Sequence, residues 1–144
     1  MTQFFQTELR LRSLPAGYHL ITDEIENAIP EIRAIQTGYL QVFIKHTSAA
    51  LTINENADPT VRKDFRTFVD ELIPENYPKF IHTYEGPDDM PAHIKASFFD
   101  SQLQIPITNG VLNMGIWQGI YLCEFRTHAS SRQLVLTAFG ELSS

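Results

Sequence analysis

The sequence has a single cysteine, Cys123, among 144 residues. A lone cysteine cannot form an internal disulfide or a four-thiolate zinc site, so both kinds of stabilised scaffold are excluded. Basic residues are also few, because 11 Lys and Arg stand against 17 Asp and Glu and give a net charge of −6. Nucleic-acid backbones and anionic membranes are held by clustered cations, so we expect no nucleic acid and no membrane among the partners.

Long apolar runs are missing as well. No window approaches the roughly 18 consecutive apolar residues of a membrane span, and the first residues, MTQFFQTELRLRS, lack the pattern of a secretory signal. Hydrophobic residues make up 43% of the chain and charged residues 19%, a composition typical of folded proteins. We therefore expect a cytoplasmic protein with a single domain over residues 1–144.

The first part of the chain alternates between strand and helix patterns. Polar and apolar residues alternate within 3–12, which predicts an opening strand. Apolar residues then recur at helical spacing over 22–35, with Pro30 placed to kink or break the helix. Residues 39–46 are aromatic and β-branched and predict a strand buried on most of its surface. The following stretch, 47–57, is typical of a loop, although Leu51 and Ile53 could continue extended pairing.

The middle of the chain carries clear helix signals. Asp58 can cap a helix and Pro59 suits its first position, because proline has no amide proton to leave unpaired. Pro74 should end this helix. A long polar loop over 75–91 and a short helix over 91–99 are predicted next.

The last 45 residues read as a meander of antiparallel strands. Asn109-Gly110 lies between two apolar runs, which is the strongest local signal of a β-hairpin. The order of the elements predicts an α+β fold built on antiparallel sheet with two or three helices.

No GxGxxG, GxSxG, HExxH or CxxC motif is present, and the residues of interest are histidines at the ends of elements or in loops: His46, His82 and His93. Neutral imidazoles with nearby carboxylates bind zinc or a similar divalent ion, which makes these three candidate metal ligands. Their separations of 36 and 11 residues match no short-range ligand template. The alternative is that each histidine only hydrogen-bonds within its own turn.

Two carboxylates and one hydroxyl could serve the same pocket. Glu55 has no evident local role, whereas Asp64 is either a site residue or a solvated helix charge. Ser48 could bind substrate, but no neighbouring acid or oxyanion hole supports it as a nucleophile.

Two arginines could hold a phosphate. Arg126 lies in the predicted strand over 119–127, and Arg132 follows the polar turn after it. A guanidinium group binds phosphate through two parallel hydrogen bonds. The alternative for Arg126 is an ion pair with Glu124, two positions earlier on the same strand face.

Three segments and a terminal tripeptide resemble the YjbQ family of small proteins. They are HTSAALTINENADPTVRKD at 46–64, YEGPDDMPAHIK at 84–95, MGIWQGIYLCEFRTHASSR at 114–132 and FGE at 139–141. The resemblance extends over essentially the whole chain, in the same order. It implies an α+β sandwich dominated by antiparallel strands and assembled as a homotrimer.

The resemblance also implies a histidine pocket with a divalent metal ion, zinc or magnesium, which maps onto His46, His82 and His93 with Glu55 and Asp64 nearby. Members are associated with a low, secondary thiamine phosphate synthase activity. In that reaction the nitrogen of a thiazole phosphate attacks the methylene carbon of a pyrimidine diphosphate, and pyrophosphate leaves. A metal and an arginine would neutralise the leaving group.

Three hypotheses follow for the function. The first is a metal-dependent transferase of this kind, with His46, His82 and His93 on the metal, Glu55 or Asp64 as base or further ligand, and Arg126 and Arg132 on phosphate. The second is a non-catalytic or regulatory protein that binds a small phosphorylated metabolite. The third is a metal-dependent hydrolase of unknown substrate.

Overall fold

The structure is a computed structural model that describes residues 1–144. Its strands are β1 Thr2–Arg10, β2 Gly17–Leu20, β3 Ile35–Ile44, β4 Ala49–Glu55, β5 Gln102–Thr108, β6 Val111–Leu112, β7 Gln118–Glu124 and β8 Gln133–Leu142. Its α-helices are α1 Thr22–Ala28, α2 Pro59–Leu72 and α3 Asp89–Phe98, and a 3₁₀ helix spans Pro30–Ala34. No helix is both long and apolar enough to span a membrane.

The strands form two antiparallel sheets. One has five strands in the order β1-β8-β3-β5-β6, and the other has three in the order β2-β7-β4. A core of 19 buried residues, among them Leu40, Leu51, Ile120 and Leu136, joins the two sheets with α1. The α+β fold with its antiparallel sandwich and three helices is confirmed.

β7 is the middle strand of the smaller sheet and is covered on both faces. Ile120 and Leu122 point into the main core, while Tyr121 and Cys123 belong to a second buried cluster with Ala92 of α3. Successive side chains of a strand point to opposite faces, so β7 joins both cores. The molecule therefore has three layers: the larger sheet, the smaller sheet, and the helices α2 and α3.

The helix signals in the middle of the chain are confirmed. The Asp58 side chain accepts a hydrogen bond from the amide of Thr60 at 2.9 Å, and Pro59 occupies the first helical position. α2 ends at Leu72, ahead of Pro74. These signals are local, and a capping carboxylate needs no tertiary partner.

The helix predicted over 22–35 is shorter in the structure. α1 ends at Ala28, the 3₁₀ helix follows from Pro30, and Ile35 already begins β3. The same apolar residues that fit a helical stripe are buried as parts of three different elements, because Pro30 ends the hydrogen-bond ladder. Within 47–57 the structure forms β4, so the loop prediction is wrong there and the alternative of extended pairing at Leu51 and Ile53 is confirmed.

The C-terminal strands do not form a meander. The hairpin at Asn109-Gly110 joins β5 and β6, with Asn109 at φ 50° and Gly110 at φ 80° as a tight primed turn requires. β7 then crosses to the smaller sheet, and β8 returns to pair between β1 and β3. Packing two sheets face to face separates strands that are adjacent in the chain.

The outer face of the larger sheet carries a row of aromatic side chains, Phe4, Phe139 and Tyr39, on three neighbouring strands. The rings of Phe4 and Phe139 stack with centroids 5.1 Å apart, and Tyr39 lies 5.9 Å from Phe139. Phe4 is 66% exposed and Tyr39 is 44% exposed. We call these three residues the aromatic row.

Candidate functional site

The candidate site forms where α3 meets the end of the long loop. α3 begins at Asp89, two residues before the predicted start, so Asp89 and His93 lie one turn apart on the same face of the helix. Asp89 is only 3% exposed, although it carries a carboxylate. A buried carboxylate needs partners of opposite charge or hydrogen-bond donors.

Two histidines converge on this carboxylate. His82 Nε2 lies 2.8 Å from Asp89 Oδ2, and His93 Nε2 lies 3.2 Å from the same oxygen. One ligand atom from each of the three residues lies within 4.8 Å of the others. The histidine side chains are 50% and 31% exposed, so the group is open to solvent on one side. We call His82, Asp89 and His93 the triad.

The hydrogen bonds of His93 determine which of its ring nitrogens carries a proton. Its Nδ1 lies 3.0 Å from the backbone carbonyl oxygen of Thr47, and because a carbonyl can only accept, Nδ1 must carry a proton. In a neutral ring Nε2 then has only a lone pair, which faces Asp89 Oδ2 at 3.2 Å. Two lone pairs at that distance need a cation between them, which is either a second proton or a metal ion.

The spacing of the donors fits a metal ion. Zinc at about 2.0–2.1 Å from each tetrahedral ligand separates the ligand atoms by about 3.3 Å. The two separations from Asp89 Oδ2 are 2.8 Å to His82 and 3.2 Å to His93, so the second is close to that value and the first is shorter by about half an ångström. Two imidazole nitrogens and one carboxylate oxygen suit zinc better than magnesium, which prefers oxygen ligands and water.

Arg126 holds the other side of the Asp89 carboxylate. Its Nη1 donates to Asp89 Oδ1 at 2.6 Å and its Nε donates to Asp88 Oδ2 at 3.1 Å. Asp88 also accepts from the amide of Thr127 at 2.8 Å. The end of β7 is thereby tied to the start of α3.

These contacts determine the charge of the two carboxylates. Burial alone would raise the pKa of Asp89, but the hydrogen bond to His82, the charge of His93 when its ring is protonated and the charge of Arg126 outweigh it and lower the pKa. The pKa of Asp88 is likewise lowered, because bonds from Thr127 and Arg126 outweigh its burial. Both groups are therefore carboxylates at neutral pH, as a metal ligand and its support require.

The structure does not bring His46 into the triad. Its Nε2 accepts a hydrogen bond from the amide of Gln133 at 2.8 Å, so this nitrogen is already used within the protein. Burial and the charge of Arg132 lower the pKa of His46, which keeps the ring neutral. Only two of the three predicted histidine ligands, His82 and His93, are brought together.

Arg132 and Ser48 belong to a buried network. Arg132 donates through Nε and Nη2 to the two carboxylate oxygens of Glu124 at 2.7 and 2.6 Å, and through Nη2 to Ser48 Oγ at 3.0 Å. Arg132 is 6% and Glu124 is 1% exposed. A bidentate pair at this depth satisfies the arginine, so the structure gives Arg132 and Ser48 internal partners where a phosphate contact was predicted.

Glu55 and Asp64 lie outside the triad. Glu55 Oε2 accepts hydrogen bonds from the amides of Ala57 and Asp58 at 2.9 and 3.2 Å, which fixes the turn before α2. Asp64 is an exposed residue of α2. The carboxylate that does meet the histidines is Asp89, which the sequence placed only within the long polar loop predicted over 75–91.

Asp89 could have been found from its spacing. It precedes His93 by four residues, which is one helical turn, but the predicted helix began at Pro91 and left Asp89 outside it. The helix starts earlier because Pro91 occupies its first turn, where a missing amide costs nothing.

Comparison with known proteins decides the family. The model of a family described as "UPF0047 protein YjbQ-like" matches residues 7–141. The UPF0047 protein YjbQ of Escherichia coli O157:H7 is 44% identical over 138 residues, which cover 96% of this chain and 99% of that protein. The chain belongs to the YjbQ family.

Solved structures related to the YjbQ family agree with the fold. A YjbQ/UPF0047 protein from Clostridium acetobutylicum, described as uncharacterised, is 37% identical, with a TM-score of 0.75 over 92% of this chain and 97% of that chain. A YbjQ-like protein of unknown function from Sulfolobus solfataricus P2 has a TM-score of 0.85 at 23% identity and covers 98% of this chain and all of its own. Membership of the YjbQ family thus establishes the fold and leaves the reaction open.

Proposed function

We propose that the protein is a metal-dependent enzyme that acts on a small phosphorylated metabolite, with the triad as its divalent metal site and zinc as the preferred ion. The observation that carries the proposal is the His93 ring. Its Nδ1 donates to the Thr47 carbonyl, and its Nε2 faces the buried Asp89 carboxylate. Three protein ligands and one side open to solvent are typical of catalytic zinc sites.

Arg126 supplies the cation that an anionic substrate needs beside the triad. Three of its five N–H donors are used, on Asp88, Asp89 and the carbonyl of Glu85. The side chain is 22% exposed, so the remaining donors can reach a phosphate oxygen from solvent. Local cations have to attract the substrate, because a chain with a net charge of −6 offers no long-range steering.

The candidate reaction is transfer of the thiamine phosphate synthase type. A C–N bond forms between the thiazole nitrogen and the pyrimidine methylene carbon as the C–O bond to the diphosphate breaks. A bound divalent ion would stabilise the negative charge of the departing pyrophosphate. Arg126 can donate to the same leaving group, and the carboxylates of the half-buried Asp88 and the buried Asp89 keep its guanidinium oriented.

Zinc titration of the metal-free protein tests the site. We expect one zinc per chain, and a loss of affinity of at least about 100-fold in Asp89→Asn and His93→Ala, because removing a ligand costs more than removing its outer partner. His128→Ala changes an exposed histidine outside the triad and is the matched control. Equal zinc affinity in all four proteins would remove the triad as the metal site.

A coupled assay tests the reaction. Wild type and His93→Ala are supplied with the thiazole phosphate and the pyrimidine diphosphate, and thiamine phosphate and pyrophosphate are measured separately. Zinc-dependent formation of both products, lost in His93→Ala, supports the transferase. Release of phosphate or pyrophosphate without the joined product identifies a hydrolase, and neither product together with tight metabolite binding identifies a binding protein.

We also propose that the protein works as a homotrimer in the cytoplasm. The exposed aromatic row supports self-association, because clustered large apolar side chains on a surface are typical of interfaces. The single cysteine, Cys123, is buried and free, which suits a reducing compartment.

A further inference from the structure

A second cleft shares a wall with the triad. It has a volume of about 400 Å³ and is lined by His46, Thr47, Ala49, Ala96, Ser97, Phe99 and Ser101. We call it the neutral cleft. Thr47 accepts from the ring of His93, and Ser97 Oγ donates to the backbone carbonyl of His93 at 3.1 Å. Thr47 and Ser97, which both contact His93, therefore also line the cleft.

The lining of the neutral cleft carries no charged side chain. It combines the hydroxyl groups of Thr47, Ser97 and Ser101 with an apolar surface from two alanines and Phe99. Each of the other three main clefts is lined by at least two charged side chains. An ion in the neutral cleft would lose hydration without gaining an ion pair, whereas an uncharged polar group can be fully satisfied there.

His46 gives the cleft a hydrogen-bond donor of fixed identity. The Gln133 amide donates to Nε2, so the neutral ring must carry its proton on Nδ1. Nδ1 has no partner within the chain, and no buried side-chain nitrogen or oxygen of the protein lacks a partner, so Nδ1 reaches solvent, and it does so on a ring that lines the cleft. A ligand group that meets this N–H must be an acceptor.

We propose that the neutral cleft binds the uncharged part of the substrate, a flat heteroaromatic or amide group with at least one hydrogen-bond acceptor that meets His46 Nδ1. Phe99, together with Ala49 and Ala96, provides the apolar contact for such a ring. This assignment rests on the proposed function in one respect, which is that the reacting end of the same substrate lies at the triad. His46, predicted as a metal ligand, becomes a specificity-determining residue.

A pair of probes that differ only in charge tests the proposal. Nicotinamide and nicotinate share a ring, and one is neutral while the other is an anion. We titrate each into isotope-labelled, zinc-loaded protein and follow the amide signals of the cleft residues and the imidazole nitrogen signals of His46. Nicotinamide should shift these signals and bind at least tenfold more tightly than nicotinate.

Two variants locate the binding. Ser101→Trp should fill the neutral cleft and weaken nicotinamide at least tenfold, whereas Ser143→Trp, at an exposed serine outside the cleft, should leave it unchanged. His46→Ala should also weaken nicotinamide.

Equal or tighter binding of nicotinate, no shift with either probe, or full binding by Ser101→Trp would each overturn the proposal. Zinc affinity, measured on the same samples, reports separately on the triad. A protein that binds zinc and ignores nicotinamide thus contradicts the cleft assignment alone.

Discussion

Glu124 and Arg132 form the most deeply buried ion pair of the molecule. Both carboxylate oxygens of Glu124 accept hydrogen bonds from Arg132, and Ser48 Oγ accepts another from the same guanidinium. Removing charges from water is costly, and only a complete set of partners offsets the cost. The pair therefore stabilises the fold as a unit and not as two separate charges.

Replacing one member of the pair should lower the free energy of unfolding more than replacing both. Arg132→Met leaves Glu124 buried and unpaired, which we expect to lower the free energy of unfolding by about 3–5 kcal/mol. The double variant Glu124→Met with Arg132→Met should recover most of that loss, since a well-packed apolar pair often replaces a buried ion pair. Urea unfolding of the three proteins measures this, and a double variant no more stable than the single one would contradict the coupling.

His46 should make stability depend on pH. Its pKa is lowered by burial and by Arg132, so below the ordinary value of 6.5 the unfolded chain binds a proton more readily than the folded one. The stabilising contribution is complete above 6.5 and decreases as the pH falls toward the lowered folded-state pKa.

The variant His46→Gln isolates this effect. Its amide oxygen can still accept from the Gln133 amide, but it does not titrate. Chemical unfolding at several pH values between about 5 and 8 should show a smaller loss of stability in acid than in wild type. His128→Gln, at an exposed histidine, is the control, and an unchanged pH profile in His46→Gln would contradict the assignment.

Among single residues, those with local roles were the ones the sequence predicted best. Asp58 has its partner two residues away, so the capping role could be inferred from neighbours alone. Arg132 and Glu124 are eight residues apart, but Ser48, just before β4, is 84 positions from Arg132, and His46 meets Gln133 across 87 positions. Partners at such separations depend on the topology, which local spacing does not determine.

At the scale of elements, β3 and β8 approach each other unusually closely where two glycines face one another. Gly38 pairs with Gly140, and a Cβ added to Gly38 would lie 2.0 Å from the carbonyl oxygen of Phe139. The obstacle is backbone, which cannot rotate away as a side chain can. The central pairing of the larger sheet thus depends on a missing side chain.

Gly38→Ala should consequently lower the free energy of unfolding by about 3 kcal/mol, the upper end of the usual cost of overpacking. Gly115→Ala is the matched control, because its Cβ would meet only the end of the Gln118 side chain, at 3.3 Å. Thermal or urea unfolding measures both. Equal stability of the two variants would show that the sheet can relax around the added methyl group.

The elements themselves were predictable where capping and turn residues mark them. Asn109-Gly110 fixed the hairpin of β5 and β6, and Asp58-Pro59 fixed the start of α2. β4 was predicted only as an alternative to a loop, because its polar residues resemble a loop, and its pairing with β7 makes it a strand. The order of strands in the two sheets is a property of their packing and could not be read from periodicity.

At the scale of the whole molecule, the net charge of −6 opposes association, whereas the aromatic row favours it. The row lies on the face of the larger sheet opposite the core, so an assembly through it would leave the triad, on the helical side of the smaller sheet, accessible. Stacked rings that remain exposed in one chain can be covered by another copy.

Sedimentation velocity tests the proposed trimer. Wild type should sediment as a trimer, and Phe4→Ser with Tyr39→Ser should weaken association at least about tenfold, because apolar contact area is lost at the interface. Phe68→Ser is the matched control, since Phe68 of α2 is exposed to the same 66% as Phe4. A trimer that survives the double change and is lost in Phe68→Ser would place the interface on the helices.

β7 runs through the middle of the molecule and leads directly to Arg126. Its residues pack into both cores, so a change in any of them disturbs the layer that holds Arg126 against Asp89. The exposed face of the larger sheet has no such connection to Arg126. Sequence drift should therefore be slowest along β7 and fastest on the outer sheet, and mutational tolerance measured position by position would divide this small protein into a permissive shell and an intolerant central strand.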